Sequence, residues 1–255
     1  AAYSIYHGPD GIKKISERDI SIIYEPSQKN TCPSILLAAL ANPGSTLIIS
    51  PSDHYISDIS SFSNLIKKGL EIAERNKIVS IGIKPSSAND QYGYIQKGKK
   101  KGPFFEVLDF KEKPNKHNAK KYFRSKKYLW NSGIFLFKAS VFLKELEKFE
   151  PKILQSCDNS IRKGTNDLDF FRIDADNFKE CPNKPIDIAL MEKTKLGTIL
   201  PLNAGWDDIG SWQSVWKNSE KDKYGNSTKG NIIIENSQNC YLRSEDRLVV
   251  GINLN

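Results

Sequence analysis

Four short stretches of the chain combine side chains and spacing that could do chemistry. In "SPSDHYI", Asp53 stands just past an apolar run, 45–50, that reads as a buried strand. Ligands of open parallel sheets sit outside the carboxyl ends of the strands. A carboxylate there can hold Mg²⁺, which takes one or two carboxylates plus substrate phosphates; a turn or helix-capping Asp would occupy the same place, and His54 beside it reads as structural. In "GWDDIGSW", Asp207 and Asp208 lie among two glycines and two tryptophans. They either cap the helix expected over 211–217 or supply a second metal ligand or a catalytic carboxylate. Neighbours in an extended chain point oppositely, so at most one of the pair faces a site. "FKEKP" closes a strand with Glu112 and Lys113. The carboxylate can accept from sugar hydroxyls and the ammonium can neutralise a phosphate; the competing reading is a surface ion pair of little worth.

The fourth stretch, "WNSGIFLF", interrupts an apolar run with Asn131, Ser132 and Gly133. Asn131 has the donors and acceptors that vicinal hydroxyls need, and Gly133 allows close backbone approach. A sugar pocket would require such a polar break at the start of a buried strand, and an Asn turn would also produce one. "YGYIQKGKKKG" mimics a phosphate-binding loop through Gly93, Gly98 and Lys99, but Lys100 stands where Ser or Thr is needed and Tyr94–Ile95 reads as strand. Gly93 between two tyrosines instead lets the backbone approach a ligand. No Ser/His/Asp triad and no GxGxxG run is present.

These residues must be positioned by alternating elements. Strands are expected at 20–25, 45–50 and 78–83, with helices at 30–42 (capped by Asn30 or Thr31, with Pro33 in its first turn) and at about 58–76, where Phe62, Leu65, Ile66 and Leu70 share a face. Continuous apolar strands between amphipathic helices imply a parallel sheet covered on both faces. Further on, a hairpin through "KGKKKGP", a helix at 116–126, a strand at 133–138, helices across 140–163, an irregular polar stretch at 164–184, a short helix in "IDIALMEK" and a strand in "LGTILPL" are expected. The tail from 229 reads as short strands, so one α/β domain over 1–228 and a β segment over 229–255 are expected.

The 255 residues carry a net charge of +8, mostly from dispersed Lys mixed with acids, and 38% are hydrophobic. An arginine-poor, evenly spread charge argues against a nucleic-acid face. No run approaches the ~20 apolar residues of a membrane span. Four widely spaced cysteines point to a reducing compartment, hence cytoplasm.

Taken in order, "EPSQKNTCPSILLAAL", "PSDHYI", "YGYI", "FKEKP", "YLWNSGIFLFKAS", "IDIALMEK", "GWDDIGSW" and "NCYLRSEDRLV" resemble the mannose-1-phosphate guanylyltransferases over roughly 20–252. The resemblance implies a Rossmann-like nucleotidyltransferase fold with a mixed, mainly parallel sheet. It also implies the conversion of GTP and mannose 1-phosphate to GDP-mannose and pyrophosphate, with Mg²⁺. By resemblance, Asp53 and Asp208 match metal carboxylates, and Asn30 and Thr31 match the stretch near the nucleotide. Gly93, Glu112, Asn131 and Gly133 match mannose contacts, Lys113 matches a cation on the sugar phosphate, and Asp187 supports the sugar pocket. A homodimer is left open. The family's opening glycine-rich loop, GG-x-G-x-R-L-x-P, has no counterpart here, so the chain is expected to represent the catalytic domain without that first strand–loop–helix, and residues 1–19 match poorly. The alternatives are a transferase for another hexose phosphate or nucleotide, and a non-catalytic nucleotide-sugar sensor. Asp53 and Asp208 argue against the sensor, which has less need of two metal carboxylates.

Overall fold

A computed structural model describes residues 22–168 and 170–255. Ile20 and Ser21 of the first expected strand, and the poorly matching 1–19, lie outside the described residues. In chain order the elements are β1 (Ile22–Tyr24), α1 (Thr31–Ala41), β2 (Thr46–Ile49), β3 (Tyr55–Ile56), α2 (Ile59–Ala73), β4 (Ile78–Ile83), β5 (Tyr94–Lys101) and β6 (Phe104–Lys111). They continue with α3 (Lys116–Ser125), β7 (Tyr128–Lys138), α4 (Ala139–Phe149), α5 (Pro151–Arg162), β8 (Thr165–Asp167), β9 (Phe170–Arg172), α6 (Ala175–Lys179) and a π-helical turn (Asp187–Met191). The rest is β10 (Gly197–Leu202), β11 (Trp206–Asp207), α7 (Trp212–Asn218), β12 (Ser227–Lys229), β13 (Ile232–Glu235), β14 (Tyr241–Arg243) and β15 (Val249–Ile252). They form two units, 22–52 with 58–204, and 53–57 with 205–255. The 228/229 boundary expected from the tail's composition falls inside the second of these.

The first unit is built on a sheet of order β2-β7-β4-β10-β6-β5, with β5 also pairing β7. β4 and β10 pair in parallel, while β7 runs antiparallel to β2, β4 and β5. Strands β2, β4, β5 and β10 thus point one way, and β6 and β7 the other, so the sheet is mixed; among the described residues β4–β10 is its one parallel pair, and the mainly parallel pairing expected is not what these strands form, because β6 and β7 come back antiparallel between them. All six residues of β4 are buried, as a central strand covered on both faces requires. Side chains alternate along β7. Phe135 and Phe137 join the core formed with α1, α4 and α5. Leu136 points the other way, against α2, where a Cβ on Gly69 would stand 3.0 Å from Leu136 Cδ2. Helices therefore cover both faces, and the first unit is an α/β layer structure.

Two local expectations change. Residues 164–184, polar enough to read as irregular, contain β8, β9 and α6; β8 and β9 pair with each other, and β9 also pairs with β1. The strand expected to start at Gly133 begins at Tyr128, because Asn131 and Ser132 lie within it.

In the second unit, β3 pairs antiparallel with β11, with Asp207 opposite Tyr55. The tail forms two parallel pairs, β12 with β14 and β13 with β15.

Candidate functional site

The polar break in β7 is a β-bulge. Ser80 of β4 faces Phe135, but two residues on Gly82 faces Asn131, so β7 carries extra residues between these rungs. The bulge leaves ladder groups without strand partners, and Ser132 takes them up. Its hydroxyl donates to the Ile81 carbonyl at 2.8 Å and accepts from Ile134 N at 3.2 Å. Gly133 turns the chain at φ 74°, in the left-handed region that favours glycine. Asn131 Oδ1 accepts from Gly133 N at 3.2 Å, which leaves the Asn131 amide nitrogen to project from the bulge.

That nitrogen donates to Asp187 Oδ1 at 2.8 Å. Asp187 starts the π-helical turn, where Glu192 N bonds back to the Asp187 carbonyl at 2.9 Å. The i to i+5 spacing of a π turn brings residues 187 and 192 to one side. Asp187 is only 8% exposed. Burial pushes its carboxyl up to about 7, and the nearby Glu112 adds to the rise. Glu112 closes the cluster: its backbone N–H donates to Glu192 Oε1 at 3.2 Å, and burial raises its carboxyl, against the pull of Lys113. Gly93 lies underneath. Asn131 N donates to the Gly93 carbonyl at 2.8 Å, and a Cβ on Gly93 would come within 2.8 Å of Glu112 Oε2.

Gly93 just before β5, Glu112 just after β6, Asn131 and Gly133 of β7 and Asp187 of the π turn therefore form one contiguous cluster. Lys113 stands at its rim, 3.7 Å from Glu112 and 62% exposed, with a backbone φ of 39° that a non-glycine residue adopts only under constraint. A partly protonated carboxyl, a second carboxyl and an amide at this spacing can both donate to and accept from adjacent hydroxyls.

Asn30 and Thr31 open α1. Asn30, at φ 70°, caps it by accepting from Thr31 N. The Thr31 hydroxyl accepts from Ile186 N at 2.9 Å, and Cys32 N bonds to the Lys184 carbonyl at 3.2 Å. Thr31 therefore braces the segment that leads into Asp187. Its sequence position did not show this, because the partner lies 155 residues away.

Asp53 and Asp208 lie in the second unit, on neighbouring chain segments joined through β3 and β11, and both influence His54. His54 Nδ1 accepts from Trp206 Nε1 at 3.2 Å, and burial lowers its pKa while Asp53, Asp208 and Asp207 pull it up. Asp207 is taken up by its own turn, accepting from Ile209 N at 2.9 Å. Ile209 sits at φ 49°, a left-handed conformation that a β-branched residue rarely adopts. Asp208 Oδ1 meets Gly210 N at 3.3 Å, and Gly210 is where a Cβ would press on the Asp208 carboxylate. Each of the two adjacent aspartates thus accepts from the backbone N–H two residues further on. Asp53 and Asp208 offer hard carboxylate oxygens, the ligand type that Mg²⁺ takes beside water and phosphate; among the described residues no group of three or more acidic, His or Cys ligands is assembled.

Glu192 escaped the sequence reading, although "IDIALMEK" contains it. Read as an ordinary helix, that segment places 187 and 192 on different sides; only the π turn joins them.

The nucleotidyl transferase family profile matches residues 10–224. The chain is 41% identical over 250 residues to a mannose-1-phosphate guanylyltransferase of Salmonella montevideo, covering 94% of this chain and 53% of that protein. It is 37% identical over 252 residues to a protein of the same name from Escherichia coli K12, again covering 94% and 53%. The chain thus spans about half the length of these curated relatives. Among solved structures, one from Thermus thermophilus described as mannose-1-phosphate geranyltransferase superposes with a TM-score of 0.77 at 24% identity, over 91% of this chain and 68% of that one. One from Helicobacter pylori described as mannose-6-phosphate isomerase superposes at 0.72 with 31% identity, over 78% of each.

Proposed function

The chain belongs to the nucleotidyl transferase family, and from that premise we propose that it is the catalytic portion of a mannose-1-phosphate guanylyltransferase, transferring GMP from GTP to mannose 1-phosphate. A phosphate oxygen of the sugar attacks the α-phosphorus in line, the new P–O bond forms as the bond to pyrophosphate breaks, and GDP-mannose remains. Such chemistry asks for positioning and charge neutralisation more than for a protein base. The observation that carries the proposal is the Asn131–Asp187 pair, presented by the bulge of β7 against Glu112 and Gly93. A buried carboxyl of pKa about 7, able to donate as well as accept, suits a hexose rather than a phosphate.

In this reading Asn131, Glu112 and Asp187 hold the mannose hydroxyls, and Gly93 and Gly133 let the backbone come close. Lys113 neutralises the sugar phosphate. Asn30 and Thr31 belong near the nucleotide, and Thr31 also fixes the Asp187 segment. Asp53 and Asp208 would hold Mg²⁺, which supplies charge neutralisation on the nucleotide phosphates when bound.

Production of GDP-mannose and pyrophosphate from GTP and mannose 1-phosphate by the intact protein, abolished in Asp208→Ala, is the expected result. Turnover unchanged by Asp208→Ala would sink its metal role. Preference for another nucleotide or hexose 1-phosphate would move the protein to another branch of the family, and tight GDP-mannose binding without turnover would make it a sensor. The same assay with mannose 6-phosphate and no nucleotide tests the activity named for the Helicobacter pylori structure.

A further inference from the structure

We infer that Glu150 is a positioning residue for the sugar site: one buried carboxylate clamps both ends of the turn that presents Asp187 and Glu192. The inference rests on the sugar-binding reading above. Glu150 is the single residue between α4 and α5. Its backbone is fixed from both sides: its N–H bonds to the Leu146 carbonyl at 2.8 Å, and its carbonyl accepts from Ile153 N at 3.0 Å and Leu154 N at 3.2 Å. Its side chain is 8% exposed.

The two oxygens of that side chain reach two lysines. Lys184 Nζ donates to Oε1 and Oε2, both at 2.9 Å, and Lys193 Nζ donates to Oε1 at 2.6 Å. Burial alone would raise the carboxyl, but the bonds to Lys193 and Lys184 outweigh it and hold the pKa below the usual range. The two lysines do not come from unrelated elements. They bracket residues 185–192, the segment that includes the π turn, so a single carboxylate fixes where the segment leaves and where it returns. Two further bonds point the same way: Thr31 Oγ1 accepts from Ile186 N at 2.9 Å, and Thr194 Oγ1 donates to Glu145 Oε2 of α4 at 2.5 Å.

A buried ion pair adds little net stability over well-packed apolar groups of the same volume. What the Lys184–Glu150–Lys193 group adds is geometry. The π turn is an uncommon local choice, since an α-helical turn would be the default, and slippage by one residue would carry Asp187 away from Asn131. With the two ends tied to a helix junction, the turn has no length to redistribute.

The test compares Glu150→Gln with the wild type in the intact protein. The amide keeps the shape and one acceptor but loses the charge. The KM for mannose 1-phosphate is expected to rise about tenfold, the effect of losing charge-assisted bonds, while the KM for GTP stays within about twofold and kcat falls less than the sugar KM rises. Amide hydrogen exchange over 185–194 is expected to speed by a similar factor, with β4 and β7 unchanged. Lys193→Met, which leaves the Lys184 bond in place, should give the same pattern at smaller amplitude, and it carries the test if Glu150→Gln does not fold. Equal rises in both KM values, or a lowered melting temperature with sugar KM and local exchange unchanged, would overturn the inference. If the wild type does not use mannose 1-phosphate, the preceding reading fails; exchange over 185–194 still decides the clamp, and unchanged exchange overturns it.

Discussion

Asp187 is a carboxyl that the fold keeps nearly dry, and its proton should be visible in stability. Its pKa is about 7 in the folded protein against an ordinary 3.8. Between those values the folded state holds a proton that the unfolded state has released, so this group's contribution is fully present below about pH 4 and declines as pH rises toward about 7. In Asp187→Asn that decline should be missing: urea midpoints measured from pH 4 to 8 should fall less steeply than in the wild type. A parallel pair of curves would show that the carboxyl titrates normally. At Gly93 an added methyl would meet Glu112 Oε2 at 2.8 Å and Asn131 Cβ at 3.3 Å. The carboxylate end can swing away, so Gly93→Ala should cost little stability, under about 1 kcal/mol. It should still raise the KM for sugar phosphate several-fold by displacing Glu112, as steady-state kinetics would show.

The bulge in β7 is the element that turns a core strand into part of a site. Ser132 is 3% exposed and answers for both the Ile81 carbonyl and Ile134 N–H. Ser132→Ala leaves two buried backbone groups unpaired, so a loss of roughly 2–3 kcal/mol is expected in urea denaturation. Gly133 sits at φ 74°, and Gly133→Ala should cost about 1–2 kcal/mol for the left-handed backbone alone. Both variants should weaken sugar binding more than nucleotide binding, because Asn131 is aimed by the same bulge. A loss below about 0.5 kcal/mol in either would mean that the bulge relaxes to a regular ladder.

At the scale of the whole molecule, the two units differ in how they are held. The buried hydrophobic residues, from Cys32 to Ala204, all lie in the first unit among the described residues, whereas Ile233, Leu248, Val250 and Ile252 of the second are more than half exposed. Burial of apolar surface is the main favourable term in folding, so the second unit should open first. Trp130 belongs to the first unit and Trp206, Trp212 and Trp216 to the second. A chain with only Trp130 should therefore show a higher urea midpoint by fluorescence than one in which Trp130 is Phe. Coincident midpoints would show a single cooperative block. The sequence charge of +8 is spread over lysines, some of them paired at the surface with acids such as Glu106 and Asp109. Among the described residues no helix is long and apolar enough to cross a membrane.

Read without coordinates, the chain already yields most of its elements. Hydrophobic periodicity and caps are local properties, so the strand at 78–83 and the helix begun by Asn30 stand where their residues put them. Motif order likewise pointed to the family; Gly93, Glu112 and Asn131 could be named as candidates from their types, and Asp187 from the resemblance. Periodicity did not reveal that β7 continues back through Asn131, because a bulge breaks the alternation on which strand reading depends. It also missed the 164–184 strands, whose pairing partners include residues 22–24, more than 140 positions away. Nor could it bring Glu192 beside Glu112, raise Asp187 toward neutrality, or tie Lys184 and Lys193 to Glu150. Those depend on contacts between distant segments and on the exclusion of water around them. Residue types and local geometry are written along the chain, but a pKa, a bulge register and a clamp exist only once the burial of the core has set which distant groups meet and how little water reaches them.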